Sequence, residues 1–233
     1  MVSSDRGAHP DLAGLTVLVP DGARTDSLSS IAYYLLRDLI VTLELEPGEL
    51  LSERDLMDRL SLGRTPIREA LRHLARENLV EIYPRRGMVV APIDVRDLAA
   101  ISEVRVELEG FAARLAAERA TDGDREATTA LAAELEVGVE ETDERTLIRF
   151  DQRIHRHVHR CAHNPFLAAT LDEYLVLSLR LWFLGLHEVH RLDEAVAEHR
   201  EMLDAILVGD ADRAESIVRA HVAGFEREIR TVL

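Results

Sequence analysis

Residues 79–93, LVEIYPRRGMVVAPI, constrain the fold most, because here a helical pattern gives way to two strand-like runs at 80–83 and 88–90. Between them Pro84-Arg85-Arg86-Gly87 reads as a turn, which makes the stretch a hairpin with arginines at its tip. Three helical patterns precede it. SSIAYYLLRDLIVTL (residues 29–43) repeats Ile31, Tyr34, Leu35, Leu39 and Leu43 at helical spacing. After a Pro47-Gly48 turn, LLSERDLMDRLSL (residues 50–62) reads as a short helix with Ser52 as N-cap and Leu56, Met57 and Leu60 as its apolar stripe. SLGRTPIREAL (residues 61–71) opens the third, with Ala70, Leu71 and Leu74 giving it a buried face. Three helices followed by a hairpin make a winged helix-turn-helix.

The Gly-Arg-Thr-Pro turn sets Arg64, Thr65 and Arg68 at the amino-terminal end of the third helix. Arginine there can bond a phosphate oxygen or make a bidentate contact with a guanine edge, and helix N-termini favour anions. The same residues also suit an amphipathic surface helix without a nucleic-acid partner. The formal net charge of −15 opposes nucleic-acid binding for the chain as a whole. Residues 28–96 nevertheless hold ten Arg against eleven Asp and Glu, so this segment is nearly neutral and a local basic face can form.

Residues 1–27 mix Gly, Pro, Ser and Asp and read as a flexible arm. Their one apolar run, LAGLTVLVP (residues 12–20), is too short to span a bilayer and has no basic leader, so no membrane association is expected. Cys161 is the only cysteine, which excludes an intramolecular disulfide and fits a cytoplasmic location.

Beyond Asp94 the pattern is helical throughout, with helices near 95–120, 124–141, 144–161, 166–187, 189–207 and 210–231. Breaks are expected at Asp122-Gly123, around Asp143, at Asn164-Pro165, near His187 and at Gly209-Asp210. Short connections predict an antiparallel bundle of six helices, a fold that builds ligand and metal sites from inward-facing side chains. The fold class is therefore mainly α: a winged helix-turn-helix over 28–94 and a helical domain over 95–233. Asp151 and His155 lie four apart on one helix face. His199 sits among Val196, Met202, Leu203 and Ile206, and His221 among Ile217, Val218 and Phe225. Polar groups on inward faces need partners, and a metal satisfies several at once. Imidazole and carboxylate suit zinc, nickel, manganese or iron. His157, His159 and His163 crowd the same region, and His159 shares the face of Asp151 and His155. Isolated surface or core histidines would give the same pattern.

Residues 29–93 resemble the DNA-binding domain of the GntR family of bacterial transcription regulators. The matching runs are PG-x-L-L-x-E-x-x-L at 47–56, RTP-x-REAL-x-x-L at 64–74 and P-x-RG-x-x-V at 84–90. The resemblance implies DNA contacts from Arg54, Arg64, Thr65, Arg68 and the wing tip Arg86-Gly87. One departure is Gly63, where the family usually has Ser or Thr, so a hydroxyl that could cap the helix is missing. F-D-x-x-x-H (150–155), N-P-x-L (164–167), E-H (198–199) and the G-D…H run (209–221) look like the FCD-type effector domain of the FadR-like group. That likeness implies a divalent metal, zinc first among the four, on Asp151, His155, His199 and His221. It also implies a small organic acid effector, with Arg105 facing it. Arg105 could equally pair with Glu109. The function implied is a metabolite-responsive regulator, a repressor by family habit, binding a double-stranded, inverted-repeat operator as a homodimer. The rival reading is a metal-dependent helical-bundle enzyme, against which stand the absence of an H-E-x-x-H motif and of a second carboxylate placed as general base.

Overall fold

The computed structural model describes residues 26–85, 87–94, 96–137, 144–185 and 192–232. Helix α1 (Leu28–Val41) starts where Ser27 Oγ accepts the Ser30 N–H at 3.0 Å, a side-chain cap for an orphan donor. Strand β1 (Leu50–Leu51) follows, then α2 (Glu53–Leu60) and α3 (Arg64–Arg76). Ser52 caps α2 through Asp55 N–H, as its position in the sequence predicts. Gly63 stands at the N-cap of α3 without a side-chain bond, so the missing hydroxyl is a real loss there. Ile67, Leu71 and Leu74 are fully buried against α1, and each contributes roughly 1.5–3 kcal/mol.

Strands β2 (Val80–Tyr83) and β3 (Gly87–Val90) form the expected hairpin, and the sheet order is β1-β3-β2, antiparallel throughout. One expectation is corrected here. Leu50 and Leu51 do not begin the second helix; they pair with Val89 and Met88 and add a third strand to the wing. Their partners lie some forty residues away, so no local periodicity could reveal the pairing. Gly87 has φ +96°, a left-handed conformation that a side chain would strain, and it closes the turn opposite Tyr83.

Six helices complete the described chain: α4 (Asp97–Arg119), α5 (Asp122–Val137), α6 (Glu144–Cys161), α7 (Pro165–Gly185), α8 (Leu192–Val208) and α9 (Ala211–Val232). The chain is thus mainly helical, a winged helix-turn-helix followed by a helical bundle. The expected arm falls, but for its last two residues, outside the described residues, as do the breaks near Asp143 and His187. The other breaks have local causes. Asn164 Oδ1 accepts the Leu167 N–H at 3.2 Å with Pro165 at the first helical position, and Asp210 Oδ1 caps α9 through Arg213 N–H at 3.1 Å.

Helix α4 is the axis of the bundle and packs against α6, α7, α8 and α9. A Cβ on Gly110 would lie 2.7 Å from Arg219 Cγ, so the glycine lets Arg219 lie across α4 and reach Glu107. One core joins α4, α5, α6, α8 and α9. A second runs from the winged helix into the bundle through Leu98, Ile148, Leu175, Leu179 and Trp182, so the two parts share buried surface.

Candidate functional site

The amino end of α3 carries the first candidate. Arg64, Thr65 and Arg68 are all exposed, as is Arg54 on α2. Both helix-start arginines turn toward one carboxylate: Glu53 Oε1 lies 3.2 Å from Arg68 Nε, and its Oε2 lies 3.9 Å from Arg64 Nε. Glu53 therefore holds the two guanidiniums side by side while leaving them 69 % and 51 % exposed. Arg72 and Arg76 continue the exposed row at four-residue spacing, a signal present in the sequence that motif matching passed over. Gly87 lies at the base of the wing turn, next to exposed Arg85. Arg86, expected at the wing tip, lies outside the described residues.

The second candidate lies in the bundle. One ligand atom from each of Asp151, His155, His199 and His221 falls within 4.8 Å of the others, although the residues come from three helices. Asp151 Oδ1 is 3.7 Å from His155 Nε2 and 3.3 Å from His199 Nε2, and the Nε2 atoms of His155 and His221 are 3.3 Å apart. Donors each about 2.0–2.2 Å from a common ion lie roughly 3–3.5 Å apart; two of these separations fall in that range and the third, 3.7 Å, is slightly longer. His199 Nε2 is buried with no hydrogen-bond partner among the described residues.

Two carboxylates that the sequence reading did not assign to the site fix these rings from behind. Glu109, fully buried on α4, accepts the His155 Nδ1–H at 2.6 Å. Glu198 on α8 accepts the His221 Nδ1–H at 2.8 Å. With Nδ1 donating on both rings, the neutral form of each leaves Nε2 to offer its lone pair to the centre, the arrangement that metal-binding histidines require. Burial works against charge on Glu109, but Arg105 and His155 hold its carboxyl well below the usual carboxylate range. Burial likewise opposes charge on His155, yet the Glu109 and Asp151 carboxylates prevail and raise its pKa. For His199 burial, reinforced by the neighbouring His221 and His155, pushes the pKa well down and keeps that ring neutral.

His159, the rival ligand, is placed elsewhere. Its Nε2 faces Glu109 Oε2 at 3.6 Å, and it groups with Glu109 and His155 rather than with the quartet. Arg105 has two sets of neighbours. It pairs with Glu109, Nη2 to Oε1 at 2.5 Å and Nε to the same oxygen at 2.7 Å, and it also lines the cavity beside Asp151, His155 and His221. That cavity has about 40 Å³ of free space, and Trp182 lines it, while Phe183 packs against the core. His157 takes no part; its Nε2 meets Thr128 Oγ1 at 2.7 Å beside buried Cys161, whose thiol burial pushes up to about 12.

A run of polar contacts leads from α6, the helix that carries Asp151 and His155, to α3. Arg156, next to His155 on α6, donates from Nε to Asp172 Oδ1 at 2.6 Å, and Asp172 Oδ2 accepts from Arg37 Nη1 at 3.2 Å. Arg37 also donates to Tyr33 Oη at 3.1 Å, and that hydroxyl donates to Glu77, the C-cap of α3, at 2.8 Å. Tyr33 stacks on His73 of α3 with ring centroids 4.4 Å apart. Burial disfavours charge on Asp172, but Arg156 and Arg37 outweigh it and lower its pKa.

Comparison with known proteins agrees with this division. The model of the family "bacterial regulatory proteins, gntR family" matches residues 28–90, and that of the FCD domain matches residues 100–224. A probable D-xylose utilization operon transcriptional repressor from Paenarthrobacter nicotinovorans is 31% identical over 195 residues, covering 82% of this chain and 85% of the relative. An uncharacterized HTH-type transcriptional regulator of Streptomyces ambofaciens is also 31% identical, over 86% of this chain and 84% of its own length. Among solved structures, E. coli McbR/YncC superposes with a TM-score of 0.78 at 22% identity, over 88% of this chain and 98% of that one.

Proposed function

Because this chain belongs to the GntR family of bacterial transcription regulators, with an FCD domain behind its winged helix, we propose that it is a metabolite-responsive repressor. In this reading it binds a short inverted-repeat operator as a homodimer and senses a small organic acid at a divalent metal. Family and relatives are regulators of transcription, which sets the enzymatic alternative aside. Residues 28–94 read DNA, with Arg64, Thr65 and Arg68 entering the major groove and Arg54 and the wing tip Arg86-Gly87 meeting the backbone. Residues 95–233 sense and dimerise, which would place two α3 helices on successive half-sites.

The observation that carries the sensing half is the quartet. Two of its three imidazole rings, His155 and His221, have their Nδ1–H groups engaged, and the ring nitrogens converge with a carboxylate. Asp151, His155, His199 and His221 would hold the ion, zinc first among the divalent metals this donor set suits. A bound ion would supply a Lewis-acid anchor for an effector carboxylate. Arg105 lines the same cavity, so an arriving carboxylate would compete with Glu109 for its guanidinium. Glu109 is the group that orients His155, so the competition bears directly on α6. From α6 the Arg156–Asp172–Arg37–Tyr33–Glu77 contacts reach the recognition helix, giving effector and operator a route to bias one another.

His199→Ala removes a donor outright. It is expected to weaken metal binding by more than the roughly 10–100-fold that loss of a buttressing partner costs, read as metal per chain by elemental analysis after dialysis. An unchanged stoichiometry would sink the quartet and favour the Glu109–His155–His159 group. The pH dependence has a definite sign. His155, with its pKa raised, keeps its second proton to a higher pH than a free imidazole does, and that proton must leave before Nε2 can donate. Metal affinity should therefore fall about tenfold for each unit the pH drops below that pKa, one proton being exchanged per ion, and level off above it. Calorimetric titration with zinc across a pH series checks this, and a flat profile would contradict it.

A further inference from the structure

A second cavity, of about 380 Å³, lies where the winged helix meets the bundle, and it shares no lining residue with the cavity at the histidines. Its apolar lining comes from Ile93 in the segment after β3, Ile101 from α4, and Leu177 and Leu181 from α7. Among them stands one cation, Arg180, only 3% exposed. Its Nη2 donates to the Ala91 carbonyl at 2.7 Å, while its Nε is buried without a partner. Among the described residues no carboxylate pairs with it, and burial alone lowers its pKa, to about 10.

The other buried arginines differ. Arg37 and Arg156 share Asp172, and Arg105 has Glu109. A buried guanidinium without a counter-charge is costly to keep, and this one borders a space large enough for a small molecule. We propose that this cavity is a second ligand site, taking a small monocarboxylic acid with an apolar body whose carboxylate pairs with Arg180. The apolar walls select the body of the ligand. Asp94 and Asp97 also line the cavity, and their negative potential disfavours a dianion or a phosphate. Asp94 is already matched by Arg96 at 2.6 Å, so Asp97 supplies most of that discrimination.

The test uses the full chain and hexanoate as probe, with binding followed by saturation-transfer NMR and competition. Wild type is expected to bind hexanoate saturably, and hexanol, succinate and inorganic phosphate much more weakly. Arg180→Met keeps the bulk but removes the charge, and should weaken hexanoate about 10–100-fold, the worth of a lost charge-assisted contact. His199→Ala should bind hexanoate as wild type does, which separates this site from the metal cavity. Ala100→Trp places a large ring from an exposed, cavity-lining position into the space and should block hexanoate without altering the core. No binding by wild type, equal binding of hexanol, undiminished binding by folded Arg180→Met, or loss in His199→Ala would each overturn the proposal. Should Arg180→Met fail to fold, retained binding by Ala100→Trp overturns it instead.

Discussion

Replacing Arg64 and Arg68 together by alanine is expected to weaken operator-specific binding by roughly 30- to 10⁴-fold, since a good bidentate arginine–guanine contact is worth about 1–3 kcal/mol. The fold should survive, because both side chains are at least half exposed and neither enters a core. Circular dichroism of the double variant should overlay that of wild type. The salt dependence tells which kind of contact was lost. If the two arginines read base edges, the variant loses sequence preference while the slope of log affinity against log salt hardly changes. If they contact phosphates, affinity falls for every sequence and the slope drops by about 0.9 for each contact removed. Glu53 adds an internal control. It neutralises part of the pair at 3.2 and 3.9 Å, so Glu53→Gln should strengthen non-specific binding while loosening the geometry that specificity needs. A double variant with its operator preference intact would refute the assignment of α3 as the reading helix.

What the sequence revealed follows how local each cause is. The cap at Ser52, the breaks at Asn164-Pro165 and Gly209-Asp210 and the wing hairpin depend on near neighbours in sequence, and the structure has them where the pattern placed them. The pairing of β1 with β3 depends on a distant segment, so Leu50 and Leu51 read as the start of a helix. The site divides in the same way. Asp151 and His155 were legible as an i, i+4 pair, and His199 and His221 as polar groups on apolar stripes, but joining the four into one set required a family likeness because three helices carry them. Glu109 offered only its spacing from Arg105, which predicts an ion pair and says nothing of a ring 46 residues away. Glu198 reads as an ordinary exposed acid until α8 and α9 pack and bring His221 against it. Arg180 carried no signal, since an unmatched charge is visible only once every neighbour is known.

Asp172→Asn is expected to be the most destabilising single polar change in the bundle and to cut the line between the proposed metal site and α3. The carboxylate serves two buried arginines at once, Arg156 at 2.6 Å and Arg37 at 3.2 Å, across 135 residues of chain in the second case. Removing one partner of a buried ion pair costs about 3–5 kcal/mol because the other charge stays buried. The Asp172 side chain is 30% exposed, so water tempers the loss and the lower end, about 3 kcal/mol, applies. For a chain of this size that is a fall in Tm of roughly 6–12 °C. The charge effect also has a pH signature. Asp172 has its pKa lowered in the folded state, so its contribution is present above the unfolded value and is lost as the pH falls through the folded one. Wild type should thus lose the advantage over Asp172→Asn in strong acid. Stability alone does not establish a line of communication, so the decisive variant replaces all three charges, Arg37→Met, Arg156→Met and Asp172→Leu. Apolar replacement of a buried ionic cluster is often neutral or stabilising, and this variant should recover much of the lost Tm and bind zinc as wild type does. Its operator affinity should no longer change when zinc is added, whereas wild type should change by a factor in the usual allosteric range of about 5–150. A folded triple variant that still answers zinc through the same factor would show that the signal reaches α3 by another path.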